Sequence, residues 1–328
     1  MNRGQTGDIS AEYLSVALVQ TKVPKEAWDP SRFPGRSAII EWRVWQELRI
    51  ALRGIDDGST ESPPKMILIP ELSVPESRIP EMKKIAGSLK AVIMCGVDYK
   101  RDFKTKPKQV ENRACVIVPH DWPGCDHIGG TKEVYIGKSY PSLGEEALLK
   151  AKGWAFKGDA TVYLFESRIY GRIGVCICYD FLDIERHLMY RGGHIQHLVV
   201  LSYNRDFESF YHNAEALART LFCNVVVCNT GTYGGSLAVA PFYEPFKRTI
   251  YRHQGSQLST IQIVQLPVRD LIKAQTGQFD RDRLAASARS ARHGAPGEQR
   301  LWKSLPPGYP IKDSKSVILE QSVLALDA

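Results

Sequence analysis

Apolar residues follow two rhythms along this chain. Short runs rich in β-branched residues, "YLSVALVQTKV" (Tyr13 to Val23), "PPKMILIPELSVP", "VIMCGVDYK" and "NRACVIVP", read as buried strands. Between them, "SAIIEWRVWQELRIALRG", stopping at Gly54, and "SRIPEMKKIAGSLKA" place apolar residues at helical spacing and predict amphipathic helices. From about His120 to Gly158 neither rhythm holds, and an irregular stretch of that length is expected to be functional or disordered. The rhythms then return. "ATVYLFES" and "GRIGVCICYD" form a hairpin pair, a helix spans about Ile184 to Tyr190, and "HLVVLSYN" is a strand. The helix "ESFYHNAEALARTLF" feeds the strand "NVVVCNTG", and "GSLAVAPF" and "LSTIQIVQLP" close the pattern. Strands and helices alternate with hairpins mixed in. The expected class is therefore α/β, with mixed sheets and helices outside. Three segments follow: a flexible N-terminus (1–12), one domain (13–270), and a C-terminal arm or tail (271–328) that is Arg-, Ala- and Ser-rich and without a strong strand.

Composition changes this picture little. A chain of 328 residues, 43% hydrophobic and 24% charged, buries a sizeable core. A net charge of +7 is mild; it attracts anions but is no nucleic-acid signature, and the Arg of the tail are scattered. No direct contact with nucleic acid is expected. No apolar run is long enough for a bilayer, so no membrane association is expected. The polar start "MNRGQTGDIS" carries no signal-peptide stretch, and seven scattered cysteines read as free thiols of a reducing compartment, hence a cytoplasmic protein.

The candidate chemistry begins at "YGRIGVCICYDFLDIERH". C-x-C has no second pair at zinc-finger spacing, and C-x-x-C is absent, so neither a metal site nor a thioredoxin-type redox pair is expected. On a strand Cys176 and Cys178 would point the same way. Cys178 stands at the strand's end, before a helix, where a thiol gains from free backbone N–H groups. It is either a nucleophile or, like Cys95, Cys115, Cys176, Cys223 and Cys228, a small packed hydrophobe. An acyl-transfer thiol needs a base and oxyanion donors. Glu71, at the end of the apolar run "MILIPELSVP", is a base candidate because desolvation raises a carboxyl pKa; otherwise it is a solvated turn acid. Lys138, in "VYIGKSYPSLGEEALL", is either a fixed ammonium beside the thiol or a surface charge.

Glu after a strand, Lys in the middle segment and C-Y-D after a later strand, in that order, resemble the nitrilase (carbon–nitrogen hydrolase) superfamily from Tyr13 to about Pro267. The resemblance rests on "VALVQT" ending at Gln20, Pro70-Glu71, Lys138 through "KSYPSLGEE", and Gly174, Cys178, Tyr179 and Asp180. Glu185, His212, Arg219, Asn229, Gly235, Ser236 and Pro241 also match. It implies a nitrilase-like four-layer α-β-β-α sandwich, commonly dimerised, and hydrolysis of a non-peptide C–N bond through a cysteine thioester without a metal or other cofactor. Cys178 would attack, Glu71 would act as base, and Lys138 with the Tyr179 N–H would hold the oxyanion. Glu145 or Glu146 would be a second acid, and Lys132 is a weaker rival to Lys138. Tyr-Asp after the cysteine is the amidase and carbamoylase form, so the implied substrate is a small linear amide or N-carbamoyl compound. The arginine that often follows C-Y-D is replaced by Phe181-Leu182-Asp183, Ile184 stands where proline is usual, and the link "RTLFCNVVVCN" lacks the family's Glu. Two alternatives stay open: acyl transfer to a nucleophile other than water, and a nitrilase-like scaffold with unused chemistry and a protein partner, such as a bacterial reverse transcriptase in phage defence.

Overall fold

The computed structural model describes residues 11–28, 31–56, 63–120, 122–123, 130–242 and 244–277, and the backbone of Ser322–Ala325. The first half contains β1 (Tyr13–Gln20), α1 (Ala38–Asp56), β2 (Met66–Val74), α2 (Ile79–Leu89), β3 (Val92–Asp102), β4 (Lys108–Pro119), β5 (Thr131–Gly137), α3 (Leu143–Ala151) and β6 (Trp154–Phe156). The second contains β7 (Tyr163–Ser167), β8 (Gly171–Ile177), α4 (Ile184–Gly192), β9 (His197–Ser202), α5 (Phe207–Thr220), β10 (Asn224–Asn229), β11 (Leu237–Val239), α6 (Pro245–Arg248), β12 (Thr249–Arg252), β13 (Thr260–Pro267), α7 (Arg269–Gln275) and β14 (Ser322–Ala325).

Alternation along β1 sorts two cores. Leu14, Val16 and Leu18 face a cluster that also takes Leu198 and Val200 of β9 and Val225 and Val227 of β10. Ala17 and Val19 face a cluster with Trp45, Leu48 and Leu52 of α1 and Met82 and Ala86 of α2. A strand buried on both faces must lie between two layers. The first sheet runs β13-β1-β2-β3-β4-β5, with β6 on β4, and the second runs β12-β11-β10-β9-β8-β7-β14. Both are mixed: β1–β2–β3 and β8–β9–β10 pair in parallel, while β3–β4–β5 and β7–β8 are antiparallel. Phe210, Ala214 and Leu217 of α5 and Tyr190 of α4 pack on the outer face of the second sheet. The layers are α-β-β-α, as expected. No helix among the described residues is long and apolar enough to cross a membrane.

Three expectations change. The stretch from His120 to Gly158 holds β5, α3 and β6, because an edge strand half in contact with polar surroundings and a nine-residue helix leave only a weak apolar rhythm. Strand β4 begins at Lys108, not at Asn112, and β12 forms from "TIYR", which showed no strong signal. Helix α7 crosses the boundary placed at 270, burying Leu271 and Ala274 against Phe222, and β14, from within 271–328, pairs in parallel with β7. Residues 1–10 of the expected N-terminal segment and 278–321 of the expected arm lie outside the described residues.

Candidate active site

Strand β2 carries Glu71 to the space between the sheets. Its nine residues are all buried. Pro70 has no N–H to give, the register with β3 shifts between Ile69 and Val74, and Leu72 has φ 55°. Such an irregularity re-aims side chains, and Glu71 is left 2% exposed. Gly96 of β3 permits it: a Cβ there would lie 2.3 Å from the Glu71 Cα. Glu71 Oε1 accepts from Lys138 Nζ at 2.9 Å and from Asn112 Nδ2 at 2.8 Å; Oε2 accepts from the Tyr203 N–H at 2.9 Å.

Lys138 is the first residue after β5, and its N–H extends the ladder by donating to the Asn112 carbonyl at 2.8 Å. The ammonium, 2% exposed, also donates to Glu145 Oε2 at 2.7 Å. Glu145 sits in the first turn of α3, in a capping box with Ser142. Its Oε1 accepts from Tyr99 Oη at 2.6 Å and from Asn112 Nδ2 at 3.1 Å. The choice left open between the two glutamates is thereby decided by position: Glu146 turns outward to Lys150 at 2.7 Å, 42% exposed. Lys132 is exposed on β5. Burial works to lower the Lys138 pKa, but Glu71 and Glu145 outweigh it and hold the ammonium well above its usual range. For Glu145 burial opposes ionisation, and Lys138 with its hydrogen bonds reverses that, leaving its pKa below the ordinary value.

Cys178 lies one residue past β8, at the head of a 3-10 turn over Cys178–Leu182, with φ 48°. Non-glycine residues in that region store strain and cluster at functional sites. The strand alternation expected to aim Cys176 and Cys178 alike therefore ends before Cys178. Cys176 neighbours Arg186 and Asp180, whereas Cys178 neighbours Glu71 and Lys138. The Ser202 hydroxyl donates to Cys178 Sγ at 3.7 Å, and Glu71, Lys138 and the Tyr203 N–H lie near enough to act on the thiol's charge. Burial and the Glu71 charge push its pKa far up, with Lys138 opposing. Tyr179 follows in the turn, 38% exposed. Asp180 is turned inward and accepts the Ser139 and Tyr140 N–H groups at 2.9 and 3.0 Å, with Arg186 at 3.8 Å. It ties the loop after Lys138 to the cysteine turn. Burial pushes its pKa up to about 6 against the pull of Arg186.

Neither a protein-family model nor a curated protein matches the sequence. Solved structures do match in shape. A CN-hydrolase superfamily protein from Xanthomonas campestris, with an arsenic adduct in its active site, aligns at 14% identity and TM-score 0.56, covering 88% of this chain and 100% of its own. A carbon–nitrogen hydrolase from Helicobacter pylori gives 10% identity, TM-score 0.57, and 85% and 98% coverage. The fold is that of the nitrilase superfamily. An amidase variant from Nesterenkonia, bearing the acetamide moiety of fluoroacetamide on its active-site cysteine, gives 14% identity, TM-score 0.53, and 83% and 97% coverage.

Within this nitrilase fold, Cys178, Glu71, Lys138 and Glu145 meet at one buried cluster, and Glu146 and Lys132 stand outside it. Glu185, His212 and Arg219 are exposed on α4 and α5. A cavity of about 570 Å³ is lined by Ser139, Pro141, Glu146 and Trp154, within the stretch from His120 to Gly158. Another, of about 620 Å³, abuts the cluster through Tyr203, on the loop from β9 to α5. Sequence reasoning missed Asn112, Tyr99 and Tyr203. Asn112 had a signal, a lone amide opening an apolar strand. Tyr203 had none, because it acts through its backbone N–H.

Proposed function

We propose that the protein hydrolyses a non-peptide C–N bond of a small linear amide or N-carbamoyl compound through a thioester on Cys178. The observation that carries this reading is a buried thiol at a strained strand end, next to a buried carboxylate that itself holds a buried ammonium at 2.9 Å. The proton balance follows from those contacts. Cys178 Sγ gives its proton to Glu71 and bonds to the carbonyl carbon, whose π electrons move to oxygen. Lys138 Nζ and the Tyr179 N–H, which has no intrahelical partner at the start of a turn, stabilise that oxyanion. Collapse breaks the C–N bond, and the nitrogen leaves with the proton from Glu71. Glu71 next takes a proton from water, the hydroxide adds to the thioester, and the C–S bond breaks to release the acid as Glu71 reprotonates the sulfur. Glu145, Asn112 and Tyr99 are positioning residues that hold Lys138 and Glu71.

An acyl-enzyme trap tests this. Incubation with a panel of amides and carbamoyl compounds is expected to add one acyl mass to wild-type protein on a peptide containing Cys178, and none to Cys178→Ala. Glu71→Gln is expected to lower turnover by about 10²–10⁴-fold. Cys176→Ala is expected to keep acylation and lose only packing stability. If no compound acylates Cys178, or the adduct falls on Cys176, the reading fails.

A further inference from the structure

The cavity of about 620 Å³ is joined to the Glu71 cluster through one residue of its lining. Tyr203 lines it, and the same residue's N–H donates to Glu71 Oε2 at 2.9 Å. Two further aromatic residues, Phe207 and Tyr233, line it, and the Tyr203 and Tyr233 rings meet edge-on at 5.4 Å between centroids. Among the described residues of its lining, Arg205 alone is charged.

Arg205 is exposed, and its guanidinium has no hydrogen-bond or ion-pair partner among the described residues. Nearby acids are committed elsewhere. Glu208 is bidentate to Arg252 at 2.6 and 2.7 Å, and Asp206 caps α5 by accepting the Ser209 N–H at 3.3 Å. The backbone under Arg205 is held firmly. The Asn204 N–H donates to Asn229 Oδ1 at 2.9 Å, and Asn229 Nδ2 returns a bond to the Asn204 carbonyl at 2.6 Å. Asn229 is fixed in turn by Ser236, whose hydroxyl donates to Gln20 Oε1 at 2.6 Å. Gly235, at φ 84°, leaves room for Phe207 beside it, since a Cβ there would lie 2.2 Å from the Phe207 Cβ. A cation on a braced loop, lining a partly aromatic cavity next to the residue whose N–H holds Glu71, is pre-organised for a planar anion.

We propose that Arg205 is a specificity residue that binds a carboxylate carried by the substrate at the end remote from the scissile C–N bond. This rests on the amide reading above and narrows it to anionic amides or carbamoyl compounds, with an apolar spacer lying against Tyr203, Phe207 and Tyr233. A guanidinium pairs with a carboxylate through two parallel N–H···O bonds, which a neutral amide of the same length cannot replace.

The test compares matched probes. Wild-type protein is expected to favour succinamic acid over butanamide, and glutaramic acid over pentanamide, by about 10–100-fold in kcat/KM, the size of a charge-assisted hydrogen bond. The preference should be carried by KM. Arg205→Met should bring the ratio close to one, and Arg205→Lys should restore part of it. A separate arm removes chemistry: calorimetric binding of the two acids to Cys178→Ala should weaken at least tenfold when Arg205→Met is added. Binding that depends on Arg205, without acylation of wild type by any amide, would sink the hydrolase reading and leave the anion site standing. Acids that bind Cys178→Ala no better than their neutral counterparts, or as well without Arg205, overturn the inference whatever the turnover.

Discussion

Asp180 is the residue whose titration reaches furthest into the site. As a carboxylate it holds the Ser139 and Tyr140 N–H groups and so the loop that follows Lys138. Burial pushes it up to about 6, while Arg186, the two N–H groups and Lys138 oppose. Lys138 and Glu145 keep their charges near that pH, since Lys138 is held high and Glu145 low. His187, beside the Phe181 carbonyl, is lowered by burial below its ordinary 6.5. The expected outcome is an acid limb: kcat/KM falls as pH drops through about 6, and the limb is lost in Asp180→Asn but kept in His187→Gln. Stability moves the other way. Between the ordinary value of 3.8 and about 6 the unfolded chain has lost this proton and the folded chain keeps it, so this group makes the fold less stable as pH rises across that window. Chemical denaturation of wild type and Asp180→Asn at pH 4 and pH 7 checks the sign.

At the scale of elements, one irregular strand and one helix start build the site. Strand β2 would be an ordinary central strand without the break at Pro70-Glu71-Leu72, and Gly96 on β3 is what lets that break lie flat against its neighbour. Gly96→Ala is therefore expected to displace Glu71 as well as to destabilise, since 2.3 Å is far inside any Cβ contact and the atom it meets is backbone. The expected result is a lowered melting temperature together with a loss of Cys178 acylation at temperatures where circular dichroism still reports the folded state. Retention of full acylation would show that the bulge does not need this glycine. The start of α3 does a similar double task. Ser142 and Glu145 cap the helix reciprocally, and the capping geometry is also what turns Glu145 Oε2 toward Lys138.

For the whole molecule, the sandwich buries most of its apolar core in two large clusters and yet leaves a set beside the cysteine turn in water. Leu182 is 44%, Ile184 72% and Leu188 63% exposed, with Ile184 and Leu188 one turn apart on α4. We propose that these residues form a contact between copies of the chain, in the homodimer or higher homo-oligomer expected above. Sedimentation velocity is expected to show wild type as an oligomer and Leu188→Glu shifted toward the monomer; a wild-type monomer at micromolar concentration would remove this role for α4.

What the sequence by itself determined was what repeats locally or follows chain order. Runs such as "VALVQ" and "MILIP" are apolar at successive positions, so each strand announced burial on both faces, and with it a layered α/β fold. Glu71, Lys138 and Cys178 were legible because their order and flanking residues resemble a known set, and the structure brings all three together. Three matters needed tertiary structure. Glu145 and Glu146 are adjacent and chemically identical, and only the turn of α3 decides which one faces Lys138. Cys178 leaves the strand's alternation through a positive φ, which no side-chain pattern records. Tyr99 on β3, Asn112 on β4, and Tyr203 and Arg205 on the loop from β9 to α5 share no local pattern with Glu71, Lys138 or Cys178. Their relation to the cluster exists only once β3, β4 and the β9–α5 loop have packed around it, because hydrogen bonds and cavities depend on distance in space and not on separation in sequence.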